Sequence, residues 1–170
     1  DKGYTPFASV NKTNEQNSVT AVSPSKTFNV AALHAATVIV PNAVLHAIVE
    51  RGLNTDELAE PNSFAIPASI AAYTQGHQWV HDMRAYIESN KQTVAKFVAE
   101  NVPGVKTVAG NATYLVWLDT REIDMASDKL EQFIRQETGL YLSEGTVYGG
   151  DGQEFLRMNV ACPKERLMDG

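Results

Sequence analysis

The sequence predicts an α/β chain that ends in a compact α+β lobe. Three features of its patterning say so. Short β-branched runs bounded by turn residues fill the first third, and apolar residues recur every three or four positions through the middle. The period then shortens again in the last third, around a glycine-rich stretch.

Taken in order, Ser18–Val22 is a β-branched run stopped by Ser23-Pro24-Ser25. Thr37–Val40 is apolar and ends at Pro41, the pattern of a strand covered on both faces. Asn42 can cap a helix running to about Arg51 with Gly52 as its stop, and Asn54–Asn62 reads as a loop closed by Pro61. From Ser69 to Glu88, the residues Ile70, Tyr73, His77, Val80, Met83 and Ile87 share one helical face. The pattern continues through Val94, Phe97 and Val98 to Asn101, and Pro103-Gly104 ends it; one long helix or two with a bend would fit. Val105–Ala109 and Thr113–Leu118 are expected strands joined at Gly110-Asn111, a short hairpin signal. Asp128–Thr138 is amphipathic, with Leu130, Phe133 and Ile134 inward and Gly139 as its cap. Leu140–Leu142 and Phe155–Val160 are two further strands flanking Gly145–Gly152, and Cys162-Pro163 opens the final segment.

At 170 residues and 18.6 kDa the chain is long enough for one ordinary domain or two small lobes. A hydrophobic fraction of 44 % against 20 % charged residues excludes intrinsic disorder. The net charge of −6 argues against binding nucleic acid or an anionic membrane surface, since both require basic patches. No apolar run approaches the roughly 18 residues that span a bilayer. Cys162 is the single cysteine, so an internal disulfide is impossible and a cytoplasmic, reducing compartment fits.

The chemistry concentrates in Ser23-Pro24-Ser25-Lys26-Thr27-Phe28-Asn29. A lysine just after a buried strand, flanked by small hydroxyl residues, would be desolvated, which favours the neutral, nucleophilic amine. Neighbouring hydroxyls suit a phosphate. On spacing alone, a solvated lysine on a turn is the better account of the same residues.

This segment resembles the cofactor-lysine motif of the fold-type I pyridoxal 5′-phosphate enzymes, the class I/II aminotransferase superfamily. Pro6-Phe7-Ala8-Ser9, Thr113–Asp119 and Phe155–Pro163 fit the same family in the same order. The ending Phe155-Leu156-Arg157-Met158-Asn159-Val160-Ala161-Cys162-Pro163 is most similar to its cystathionine β-lyase-like carbon–sulfur lyase branch. The resemblance implies the C-terminal part of the pyridoxal-phosphate-dependent transferase fold. Residues 1–61 would be a remnant of the large cofactor domain, and 62–170 the small C-terminal domain with its last helix cut short. It implies that Lys26 forms the Schiff base and then serves as general base at Cα. Ser23 would bind the phosphate, with Ser25 beside it, and Arg157 would grip the α-carboxylate of an amino acid substrate. The implied reaction is β-elimination to pyruvate, ammonia and a thiol. A transamination using the same residues is the alternative, and a non-catalytic binding module on the same scaffold is a third. The intact enzyme is expected to be a homodimer and this fragment to be inactive by itself, because the family's aspartate for the pyridine nitrogen precedes the region present here. Many aminotransferases carry a second phosphate-binding arginine eight residues after the lysine; His34 stands there, open to a hydrogen-bonding role or a core one.

Other features read as structural. His77 and His81 have helical ligand spacing, but Gln78 stands where the metalloprotease pattern needs glutamate, so no metal site is expected. Tyr148–Gly152 lacks the ending of a phosphate loop and reads as a mobile turn beside Arg157. Trp79 and Trp117 are expected in the core.

Overall fold

The computed structural model describes residues 3–170. The chain divides into two compact units, the first ending at His81 and the second running Asp82–Gly170.

The first unit begins with α1 (Lys12–Gln16), whose first turn is capped by the Asn11 side chain accepting from Asn14 N. Then come β1 (Thr20–Val22) and β2 (Thr37–Ile39), an antiparallel pair with Ala21 opposite Val38. Neither strand has a buried residue, so the expectation of a strand covered on both faces is not met: a two-stranded ribbon has no second layer here. Asn42 does cap α2 (Ala43–Thr55), its side chain accepting from Val44 N at 2.9 Å and Leu45 N at 3.1 Å. Gly52 does not stop that helix. It lies within it, at a cost of about 1 kcal/mol relative to alanine, and Glu57 takes the left-handed conformation just beyond the end. The long periodic stretch is two helices, α3 (Ala65–Gln75) and α4 (His77–Asn101), broken at Gly76. Ala65 is the one buried hydrophobic residue among those described in this unit, while Tyr4, Phe64 and Val44 are 90 %, 74 % and 70 % exposed.

The second unit is an antiparallel sheet, β3 (Lys106–Thr107), β4 (Leu115–Asp119), β5 (Ser143–Glu144) and β6 (Phe155–Asn159), in the order β3-β4-β6-β5. The hairpin of β3 and β4 is present. Residues 108–114 connect it rather than a tight Gly110-Asn111 turn, and Lys91 Nζ of α4 donates to Ala112 O in that loop at 2.9 Å. On β4 and β6 alternate residues divide two faces. Val116, Leu118 and Leu156 face a core completed by Val94 and Val98 of α4 and Leu130 of α5 (Ser127–Thr138). Leu142, Val160 and Leu167, the last from α6 (Lys164–Asp169), close it. Gly139 ends α5 at φ +78° as its position predicts.

Asn90 is the polar member of this core. It is 1 % exposed, and its Nδ2 donates to Val160 O at 2.9 Å and Cys162 O at 3.1 Å, tying α4 to the turn that follows β6.

Candidate functional site

Lys26 lies in the connection between β1 and β2. Pro24 is buried and stops β1. The chain then coils through a turn in which Phe28 N donates to Pro24 O and Val30 N to Ser25 O, both at 3.0 Å. Asn29 closes it at φ +54°, a left-handed value that asparagine tolerates better than most residues. Phe28 anchors the turn. Its ring meets Tyr73 of α3 edge to face with centroids 5.3 Å apart, and it packs on the Gly76 backbone, where a Cβ would stand 2.7 Å from a ring carbon. The break between α3 and α4 therefore coincides with the place where Phe28 docks.

Ser23 is the hub of the turn. Its Oγ accepts from Ser25 N at 3.1 Å and lies 2.7 Å from both Ala35 O and Ser25 Oγ. A hydroxyl has one proton, so when Ser23 donates to the Ala35 carbonyl, Ser25 donates to Ser23. Lys26 is exposed, and no hydrogen bond or ion pair engages its Nζ among the described residues. The desolvated amine expected after a buried strand is thus absent from this unit by itself: β1 is not buried, and Val22 beside the turn is 38 % exposed. His34 takes a left-handed φ of +48° and is exposed, which excludes the core role in this unit.

Arg157 belongs to the second unit. It sits on β6, an inner strand paired on both sides, with Trp117 and Ser143 as its cross-strand partners. It is not an edge cation. Its Nε is buried without a hydrogen-bond acceptor, and its guanidinium carbon lies 4.5 Å from the centroid of the Tyr148 ring. Trp117 is only half buried, on this sheet face rather than in the core, and meets Tyr148 and Phe155 edge to face at 5.3 and 6.4 Å. Trp79 is 46 % exposed and likewise outside the core.

The loop that carries Tyr148 is pinned at its base. Gly145 and Gly152 cross so closely that a Cβ on Gly152 would lie 2.1 Å from Gly145 O, and one on Gly145 would lie 2.2 Å from Gly152 O. Gly145 N donates to Phe155 O at 2.9 Å. The wholly buried Ser127 Oγ donates to Gly152 O at 3.1 Å, and Thr120 Oγ1 to Glu154 O at 2.8 Å. The mobile turn read from the glycines is therefore a tip held on a fixed base.

At the end of β4, Asp119 is gripped by Arg121, with Nε 3.0 Å from Oδ1 and Nη2 2.5 Å from Oδ2. The Arg121 hydrogen bonds lower the Asp119 carboxyl from 3.8 to about 2. Among the described residues no group of three or more His, Cys, Asp and Glu could hold a metal ion, and His77 and His81 are exposed on α4. Among the described residues no helix is long and apolar enough to cross a membrane.

The model of the family described as aminotransferase class I and II matches residues 3–169. The chain belongs to that family. Among its relatives, cystathionine beta-lyase PatB of Bacillus subtilis (strain 168) is 36 % identical over 98 % of this chain and 43 % of its own length. Protein MalY of Escherichia coli (strain K12) is 33 % identical over 87 % of this chain and 38 % of its own. The crystal structure of cystalysin from Treponema denticola, which contains a pyridoxal 5′-phosphate cofactor, superposes with a TM-score of 0.88 at 26 % identity, over 99 % of this chain and 43 % of that one. The chain thus spans less than half the length of the relatives it matches. The resemblance carried by Ser23–Asn29 and Phe155–Pro163 is borne out, as is the mixed α/β fold it implied.

Sequence reasoning missed Phe28 as the anchor of the Lys26 turn, Asn90 as the tie behind β6, and Thr120 and Ser127 as the pins of the Tyr148 loop. For Asn90 a signal existed: it interrupts the apolar stripe Ile87, Val94, Val98 of α4. The partners of Thr120 and Ser127 are backbone carbonyls in a loop far along the chain, and nothing local announces them.

Proposed function

We propose that this chain supplies the lysine and the substrate-binding arginine of a pyridoxal-phosphate-dependent carbon–sulfur β-lyase acting on cystathionine or a similar cysteine derivative. The observation that carries the reading is the Lys26 turn. Among the described residues its amine is unengaged, the hydroxyls of Ser25 and Ser23 stand one and three residues before it on the same turn, and Phe28 anchors that turn. This donor set fits the cofactor: a primary amine for its aldehyde, and two hydroxyls able to trade internal hydrogen bonds for a phosphate oxygen.

Pyridoxal phosphate, when bound, supplies the electron-withdrawing ring that accepts charge as the Cα–H bond breaks. Lys26 Nζ would be the group's covalent anchor and the base that takes the Cα proton of the substrate. Ser23, with Ser25 beside it, orients the phosphate end. Arg157 holds the α-carboxylate through paired charge-assisted hydrogen bonds, a geometry that lysine cannot reproduce. Departure of a thiolate from Cβ and hydrolysis of what remains give pyruvate and ammonia. The same residues serve transamination, and the description of the matching family favours that second reading. The active protein is a homodimer of the cytoplasm in this proposal.

Borohydride reduction of the chain mixed with pyridoxal phosphate, followed by peptide mapping, should place the label on Lys26. Label spread evenly over the exposed lysines would refute the assignment. In a polypeptide of the relatives' length that contains these residues, L-cystathionine should release thiol and pyruvate. Amino-group transfer to a 2-oxo acid without thiol release would establish the aminotransferase instead.

A further inference from the structure

We propose that Tyr148 is a positioning residue for Arg157: its ring face holds the guanidinium so that the N–H edges stay open to a carboxylate. The inference rests on Arg157 being the α-carboxylate ligand.

An arginine half-buried on an inner strand usually has an acid beside it. Arg157 has none among the described residues; its Nε is buried without an acceptor, and the contact it does make is with the Tyr148 ring at 4.5 Å. An aromatic face attracts a cation through its quadrupole but offers no lone pair. It can therefore fix where the guanidinium lies without consuming the donors that a carboxylate needs. Asp119, an acid on the same sheet face, is already taken by Arg121 through both oxygens and does not compete.

The ring is itself braced. Trp117, directly across from Arg157 in the sheet, meets Tyr148 edge to face at 5.3 Å. Tyr148 ends a 3₁₀ turn, Thr146–Tyr148, at the tip of the loop whose base is locked by the Gly145–Gly152 crossing and the Ser127 and Thr120 hydroxyls. Gly149 and Gly150, at φ +77° and +59°, turn the chain immediately after it. A side chain that merely filled solvent space would need neither the locked base nor the tryptophan behind it.

The test uses the 15N-labelled chain, following the Arg157 Nε–Hε signal, assigned by its loss in Arg157→Gln, while acetate or glycine is titrated in. In the wild type the signal should lie upfield under the ring and move on titration. Tyr148→Leu should abolish the upfield displacement and weaken acetate about three- to tenfold, whereas Tyr148→Phe, which keeps the ring face, should retain both. A carboxylate response of undiminished affinity in Tyr148→Leu overturns the proposal alone, as does Tyr148→Phe failing as badly as Tyr148→Leu. A wild-type Arg157 signal indifferent to both acetate and glycine refutes the carboxylate role of Arg157, and this proposal with it.

Discussion

Replacing Asn90 tests how far one buried amide holds β6 in place. The side chain is 1 % exposed and gives both Nδ2 protons to backbone carbonyls, those of Val160 and Cys162, seventy or more residues away. In Asn90→Ala both bonds vanish, at about 0.5–1.5 kcal/mol each, and the carbonyl of the fully buried Val160 is left short of a donor at a further cost of about 1–3 kcal/mol. Against this, Asn90 Oδ1 is buried without a partner, and removing it returns about 1–2 kcal/mol. The balance is a loss of about 2 kcal/mol. Asn90→Asp should be worse above neutral pH, because it sets an acceptor against two acceptors, and should recover on acidification as the protonated carboxyl regains one donor. Urea unfolding followed by tryptophan fluorescence in a Trp79→Phe background, which leaves Trp117 as the reporter, measures this through the midpoint at constant slope. Asn90→Ala within about 0.5 kcal/mol of the wild type, the scatter of ordinary surface changes, would refute the claim that these bonds hold the strand. Asn90→Asp losing further stability on acidification would refute the donor argument.

Other perturbations address the site elements. Gly152→Ala places a methyl 2.1 Å from the Gly145 carbonyl oxygen, with backbone on both sides, so the crossing must open at a cost of about 1–3 kcal/mol; the Arg157 Nε–Hε signal should lose its ring-current displacement even though neither Arg157 nor Tyr148 is changed. Gly76→Ala should expel the Phe28 ring and free the Lys26 turn, read as faster amide exchange at Phe28 and Val30 with α5 unaffected. For Asp119, the folded carboxyl lies below its ordinary value because Arg121 hydrogen-bonds it, so its stabilising contribution is complete above about 4 and disappears as pH falls through about 2. Its side-chain 13C shift should titrate near 2, and Arg121→Ala should return the midpoint toward 3.8.

What the sequence made legible was whatever local chemistry decides. Asn42 caps α2 through its own neighbours, Gly139 ends α5 because a residue without a Cβ turns left there without strain, and the spacing of Leu130 and Ile134 names the inner side of α5, although Phe133, expected inward with them, is 54 % exposed. Motif order singled out Lys26 and Arg157 as candidates because their flanking residues are distinctive. The misreadings share a cause. Thr37–Val40 and Trp117 are apolar, and apolarity states a preference for burial without saying which face another layer covers. The break at Gly76 coincides with the docking of Phe28, nearly fifty residues earlier, whereas nothing lies within 4 Å of where a Cβ on Gly52 would stand, and Gly52 stays helical. Asn90 eluded the reading because its meaning lies in two carbonyls of the turn that follows β6, seventy or more residues away.

The crossing of Gly145 and Gly152 separates the two jobs of the segment it closes. Strand pairing on either side is settled at the pinch, so residues 146–151 form a cul-de-sac whose length and composition, Tyr148 apart, can drift without shifting the rung on which Arg157 stands. Because closing a longer loop adds only about 0.6 kcal/mol per doubling, descendants of this scaffold could try new tips above an unaltered arginine, and a change of preferred side chain in the ligand need not begin with a change of strand.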